Sequence, residues 1–138
     1  IPTSPGLPSP SGTGFLTGGT RIDDASVASF ARAIKQSQGS TALLQYIRLP
    51  NGTQTGWHTH AGPAIVLVKS GQFNYIDDRC KVTEYRDGNG FVDPGFGNVH
   101  NARAVSPTGG VTELYVLYYL PDSATTFRED AVPAPCAG

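Results

Sequence analysis

Residues 56–71 read Gly56-Trp57-His58-Thr59-His60-Ala61-Gly62-Pro63-Ala64-Ile65-Val66-Leu67-Val68-Lys69-Ser70-Gly71. Ala64 to Val68 is a short apolar, largely β-branched run that stops at Ser70-Gly71, the pattern of a strand ending in a turn. His58 and His60 are two residues apart, and on a strand side chains at i and i+2 point to the same face. Both imidazoles can then meet a single ion. By the same parity Trp57 faces the other way and is expected to pack. Ala64, Val66 and Val68 share the inward face.

Outward from this stretch the same grammar repeats. Thr41 to Leu49 is a β-rich run closed by Pro50-Asn51-Gly52, and Asn-Gly is a strong turn signal. Asn51-Gly52-Thr53 also fits a glycosylation sequon, but the turn is the stronger reading. Phe73 to Ile76 ends at Asp77-Asp78, and Lys81 to Tyr85 at Asp87-Gly88-Asn89-Gly90. Phe91 to Asp93 ends at Pro94-Gly95, Val99 to Val105 at Pro107, and Val111 to Leu120 at Pro121. Seven or eight short strands, with turns about every 8–12 residues, argue for an all-β sandwich or barrel.

The N-terminal part differs. Residues 1–14 are rich in Pro, Gly and Ser and cannot bury enough surface to offset ordering, so residues 1–20 are expected to be a flexible leader before one domain over 21–138. Within 24–35, Val27, Phe30, Ala31 and Ile34 recur at helical spacing behind an aspartate, which predicts one short helix.

Composition narrows the function. The chain has 138 residues, 17 glycines and 11 prolines, and its net charge is −1 with no basic cluster. A nucleic-acid or membrane-surface role needs a basic face and is not expected. No apolar run approaches the roughly 18 residues of a membrane span. The chain begins at Ile1 and contains no methionine. The expectation is a secreted or extracytoplasmic protein whose targeting segment has been removed, with an arbitrary boundary as the alternative. Two cysteines, Cys80 and Cys136, permit one disulfide in an exported chain, with two free thiols as the alternative. The bridge is expected, because the tail Val132-Pro133-Ala134-Pro135-Cys136 has too few apolar groups to dock itself.

The third and last histidine, His100, stands forty residues after His60, in Asn98-Val99-His100-Asn101. It must come from another strand, which a barrel supplies. Imidazole suits Zn, Cu, Fe and Ni, and three protein ligands leave positions open for water or substrate. An accidental His-x-His and a hydrogen-bonded core histidine are the bland alternatives. No nucleophile elbow, phosphate loop or zinc-finger spacing is present.

Residues 56–71 resemble the first motif of the cupin family, which runs from a glycine through His-x-His to a glutamate and a closing glycine, here Gly71. Residues 88–101 resemble the second, with Gly88, Pro94 and His100 in matching order; where an asparagine is expected a few residues later, Ala104 stands, and Asn101 comes early. The resemblance spans roughly residues 40–121, and the segments around Trp57, Phe91-Val92-Asp93 and Arg128-Glu129-Asp130 resemble small exported cupins.

The resemblance implies a jelly-roll barrel holding one divalent transition metal (Fe, Cu, Mn, Ni or Zn) through His58, His60 and His100. It implies a small-molecule ligand or substrate as partner, with a homodimer as a further expectation. One departure matters most: the glutamate position holds Ala64. A neutral three-histidine site is therefore implied, similar to thiol dioxygenases and diketone-cleaving cupins. Glu84 and Glu113 are candidate substitutes, each also readable as a solvated charge. Asn98 and Ala102 share the His100 face, and one of Tyr46, Tyr115, Tyr118 and Tyr119 is a candidate to offer a hydroxyl, with core packing the commoner role for each. The functional expectation is a metal-dependent oxygenase or oxidoreductase, with a non-catalytic metal or ligand binder as the alternative; no catalytic residue is assigned.

Overall fold

The computed structural model describes residues 22, 24–37 and 40–136; the leader expected over 1–20 lies outside them. Among the described residues one helix, α1 (Asp24–Ser37), precedes nine strands: β1 (Ser40–Leu49), β2 (His58–Thr59), β3 (Ala64–Ser70), β4 (Gln72–Asp77), β5 (Val82–Arg86), β6 (Gly90–Asp93), β7 (His100–Ala104), β8 (Thr112–Pro121) and β9 (Glu129–Asp130). They form two antiparallel sheets, ordered β1-β8-β3-β6 and β5-β4-β7-β2-β9. The strands expected from β-rich runs between turn residues are present with ends moved by a residue or two. β9 was not foreseen, since two residues carry no period.

The longest ladder joins β1 to β8, from Ser40 opposite Pro121 to Leu49 opposite Thr112. Along β8, Thr112, Leu114, Val116, Tyr118 and Leu120 are buried while their neighbours are more exposed, the period-2 alternation of a sheet with one face on the core. Leu114, Val116, Tyr118 and Leu120 meet Val66 and Val68 of β3 and Phe73 and Ala104 of the other sheet in one apolar cluster. Pro50-Asn51-Gly52 is a turn as expected, with Thr53 N–H donating to the Pro50 carbonyl at 3.1 Å.

Gly71 closes the β3–β4 hairpin for two reasons. Its φ is +91°, and a Cβ there would stand 2.7 Å from the Thr112 Cα. Only glycine adopts that conformation at little cost, and only glycine leaves room for Thr112. The buried Thr112 hydroxyl donates to the Gln72 carbonyl at 2.9 Å, tying the hairpin to β8.

The helix is where expected, but its packed stripe is rotated. Val27, assigned to the apolar face, is 53% exposed; Ala33 is buried instead. Phe30 packs edge-on against Tyr119 of β8, with ring centroids 5.3 Å apart. Helical spacing identifies a stripe but not which edge of it meets the barrel.

The Cys80–Cys136 disulfide is formed, with Cα atoms 5.4 Å apart. It pins a C-terminal strap over residues 127–136. β9 within it pairs with β2, Asp130 opposite His58 and Glu129 opposite Thr59. Arg128 donates to the Thr55 carbonyl at 2.7 Å and pairs with Asp130 at 2.8 Å. Trp57 faces a crevice beside the disulfide, away from the barrel interior, as its parity requires. No helix among the described residues is long and apolar enough to cross a membrane.

Candidate metal centre

β2 and β7 lie side by side with His58 directly opposite His100. His60 follows two residues after His58 and points to the same interior. All three histidines are buried, and one ligand atom from each lies within 4.8 Å of the others. Ring centroids are 4.3 Å apart for His58 and His100, 4.9 Å for His58 and His60, and 5.4 Å for His60 and His100.

Each ring is oriented from behind by a backbone carbonyl. His58 Nδ1 donates to Gly56 O at 2.7 Å, His60 Nδ1 to Phe127 O at 2.6 Å, and His100 Nδ1 to Asn98 O at 3.0 Å. A carbonyl accepts only from a protonated nitrogen, so the neutral ring carries its proton on Nδ1 and its lone pair on Nε2. Burial drives His58 from the ordinary histidine value down to about 4, against the pull of the Gly56 carbonyl. Burial also lowers His60, opposed by Asp93 and the Phe127 carbonyl. Neutral imidazoles are the form that binds metal.

The carboxylate of the site is Asp93, which the sequence reading passed over. It is 3% exposed. Its Oδ1 accepts from Gly95 N at 2.9 Å and from Asn98 Nδ2 at 3.1 Å. Its Oδ2 lies 3.2 Å from His100 Nε2 and 3.7 Å from His60 Nε2. The Nε2 atoms of His60 and His100 thus face one carboxylate oxygen. Such a set of acceptors fits a divalent cation, which would take the three Nε2 lone pairs.

Glu84 and Glu113 do not replace the absent glutamate. Glu84 is exposed on β5 and faces Arg86 at 3.9 Å. Glu113 lies between inward-facing Thr112 and Leu114 and therefore points out. There it accepts from Tyr46, from Ser70 Oγ at 3.1 Å and from Lys69 Nζ at 3.3 Å. Parity also sorts the tyrosines. Tyr46 and Tyr115 are exposed on the outer face and contact each other, with centroids 5.4 Å apart. Tyr119 faces α1. Of the four, only Tyr118 lines the interior, where burial first and Asp93 second push its hydroxyl up to about 12.

Tyr75 joins it unforeseen, because nothing in Phe73 to Ile76 marks one aromatic as special. Its ring stacks on His100 at 4.8 Å and its hydroxyl accepts from Asn98 at 2.8 Å. Ala64 and Ala102 line the cavity as expected, while Asn98 buttresses Asp93 and Tyr75. The space is about 60 Å³, walled by apolar residues such as Ile47, Val66, Phe91, Leu114 and Val116. That is room for about four waters, at about 15 Å³ each.

No protein-family profile matches the sequence, and no curated protein matches it. Solved structures do match in shape. An RmlC-like cupin family protein with a double-stranded β-helix fold from Methanocaldococcus jannaschii superposes with a TM-score of 0.52 at 18% identity, covering 61% of this chain and 74% of that one. The DMSP lyase DddQ from Ruegeria pomeroyi gives 0.56 at 16% identity, over 69% of this chain and 45% of the lyase. The polyketide cyclase RemF from Streptomyces resistomycificus gives 0.55 at 12% identity, over 70% of this chain and 65% of the cyclase. With its two facing antiparallel sheets and these likenesses, the chain has the double-stranded β-helix fold of the cupins.

Proposed function

We propose that this protein binds one divalent transition-metal ion through His58, His60 and His100 and presents it to a small molecule inside the barrel. The observation that carries this is the orientation of the rings: each Nδ1 is held by a carbonyl, so three Nε2 lone pairs are left for one point. When bound, the ion supplies Lewis acidity and, if Fe, Cu or Mn, electron-transfer chemistry. The chain's own residues orient the ligands, exclude water with an apolar wall, and hold two neutral phenols, Tyr75 and Tyr118, at the interior.

The finer form of the proposal is an oxygenase or related oxidoreductase. It is supported by a cavity that admits a molecule of only a few atoms beside the metal position. The lyase and cyclase among the structural neighbours are named for reactions on small molecules. An extracytoplasmic setting is part of the proposal and rests on the disulfide.

The test is a titration of metal-stripped protein with Fe(II), Mn(II), Cu(II), Ni(II) and Zn(II). One equivalent should bind, and His58→Ala, His60→Ala and His100→Ala should each weaken binding by about 100-fold or more. Absence of binding to any of these ions, or binding indifferent to all three substitutions, would overturn the reading.

A further inference from the structure

We infer that Asp93 is a fourth ligand of this centre, so that the carboxylate missing at position 64 is supplied from the neighbouring strand. The inference rests on the three-histidine reading and sharpens it. Ala64 on β3 and Asp93 on β6 are direct cross-strand partners. In such a pair the two Cβ atoms share a face and lie about 5 Å apart. A carboxylate can therefore reach the same space from either strand. Here the residue on β3 is reduced to a methyl group and the acid stands opposite.

The distances to His100 and His60 are close to those of atoms sharing an ion. Ligand atoms bound about 2.1 Å from an ion stand about 3.0 Å apart at right angles and about 3.4 Å at the tetrahedral angle. Asp93 Oδ2 lies 3.2 Å and 3.7 Å from two of the Nε2 atoms. The amide donors Gly95 N and Asn98 Nδ2 both fall on Oδ1, which fixes the carboxylate plane and leaves Oδ2 toward the histidines. Gly95 itself has a φ of +66°, and a Cβ there would strike the Gly62 carbonyl at 2.1 Å. The turn that aims Asp93 is thus built against the turn that joins β2 to β3. The shell becomes three histidines and one aspartate, with one negative charge. That corrects the neutral site implied by Ala64 and favours harder ions such as Mn(II) and Fe(II).

The experiment uses the full chain and two probes, Mn(II) and Zn(II), read by chelator competition and by the Mn(II) electron paramagnetic resonance spectrum. Asp93→Asn keeps the acceptor for Gly95 N and can donate from its amide to a histidine Nε2, so the fold should persist. It should lower Mn(II) affinity by about 10- to 100-fold, with a smaller loss for Zn(II), and should change the Mn(II) spectrum. The double variant Asp93→Ala with Ala64→Glu returns a carboxylate from the opposite strand and should recover most of the Mn(II) affinity. Wild-type affinity for both ions in Asp93→Asn would overturn the assignment while leaving the three-histidine reading intact. If Asp93→Asn does not fold, the double variant decides alone: failure to recover Mn(II) binding overturns the assignment. Failure of the unaltered protein to bind either ion would instead remove the metal reading itself.

Discussion

The β1–β8 ladder and the short strand β2 hold the two halves of the same cavity by opposite means. The ladder runs ten residues on each side and presents Leu114, Val116 and Tyr118 as a wall of packed side chains. β2 is two residues long, yet it brings His58 and leads into His60. It depends on β7 on one side and on the C-terminal strap on the other, through β9 and the Phe127 carbonyl behind His60. A wall can be secured by area alone, because burial is non-directional. A histidine cluster needs fixed angles, and here these come from single hydrogen bonds, the one to His60 delivered by a strap that a disulfide anchors.

The largest expected effect comes from the strap. The disulfide closes a loop of 56 residues, and on the chain-entropy model its loss costs about 4 kcal/mol. Cys80→Ser with Cys136→Ser should lower the unfolding free energy by up to that amount in urea titrations. It should also weaken metal binding by about 10-fold or more, since the group that orients His60 loosens. Unchanged metal affinity in a destabilised double variant would mean that the strap does not order the site.

The wall gives the next effect and the opposite division. Leu114→Ala removes a buried side chain and should cost about 3 kcal/mol. Its metal stoichiometry should stay at one, with affinity close to that of the unaltered protein under folding conditions. Loss of metal as severe as in the strap variant would collapse the distinction between the two regions.

The smallest effect is electrostatic and concerns His58 on β2. In the metal-free protein His58 holds off its proton until about pH 4, whereas an unfolded chain takes it up near 6.5. The unfolded state then binds more protons between those values, so stability falls as pH drops through that window and is regained above it. From pH 7 to pH 4.5 the loss from His58 is roughly 2 kcal/mol, and His60 adds in the same direction. Thermal unfolding of the metal-free protein at the two pH values checks this. A His58→Gln variant should flatten the slope, and an equal slope would show that the ring is not held neutral.

The strands, their turns and the three histidines were legible because each rests on local pattern. Val111 to Leu120 is a β-rich run stopped by Pro121, and two histidines at i and i+2 of a strand share one face. The acid of the site was not legible. Phe91-Val92-Asp93 reads as the end of a strand running into Pro94-Gly95, and an aspartate there is ordinary turn chemistry. What distinguishes Asp93 is its position opposite Ala64, and that register exists only once β3 and β6 are paired. Glu113 shows the converse, since a one-residue offset from Leu114 sends it to the outer face beside Tyr46 and Lys69.

Local pattern suffices for the all-β grammar, the pairing of His58 with His60 on one face and the opportunity for one disulfide, because strand parity, turn residues and cysteine count are properties of the chain before it folds. Tertiary structure alone decided which carboxylate stands beside the histidines, which tyrosines face inward, which side of α1 meets the barrel, and that the Phe127 carbonyl reaches His60 across 67 positions of chain. Those outcomes depend on register and on contacts between distant segments, and the free energy that selects them comes from burying the whole core at once.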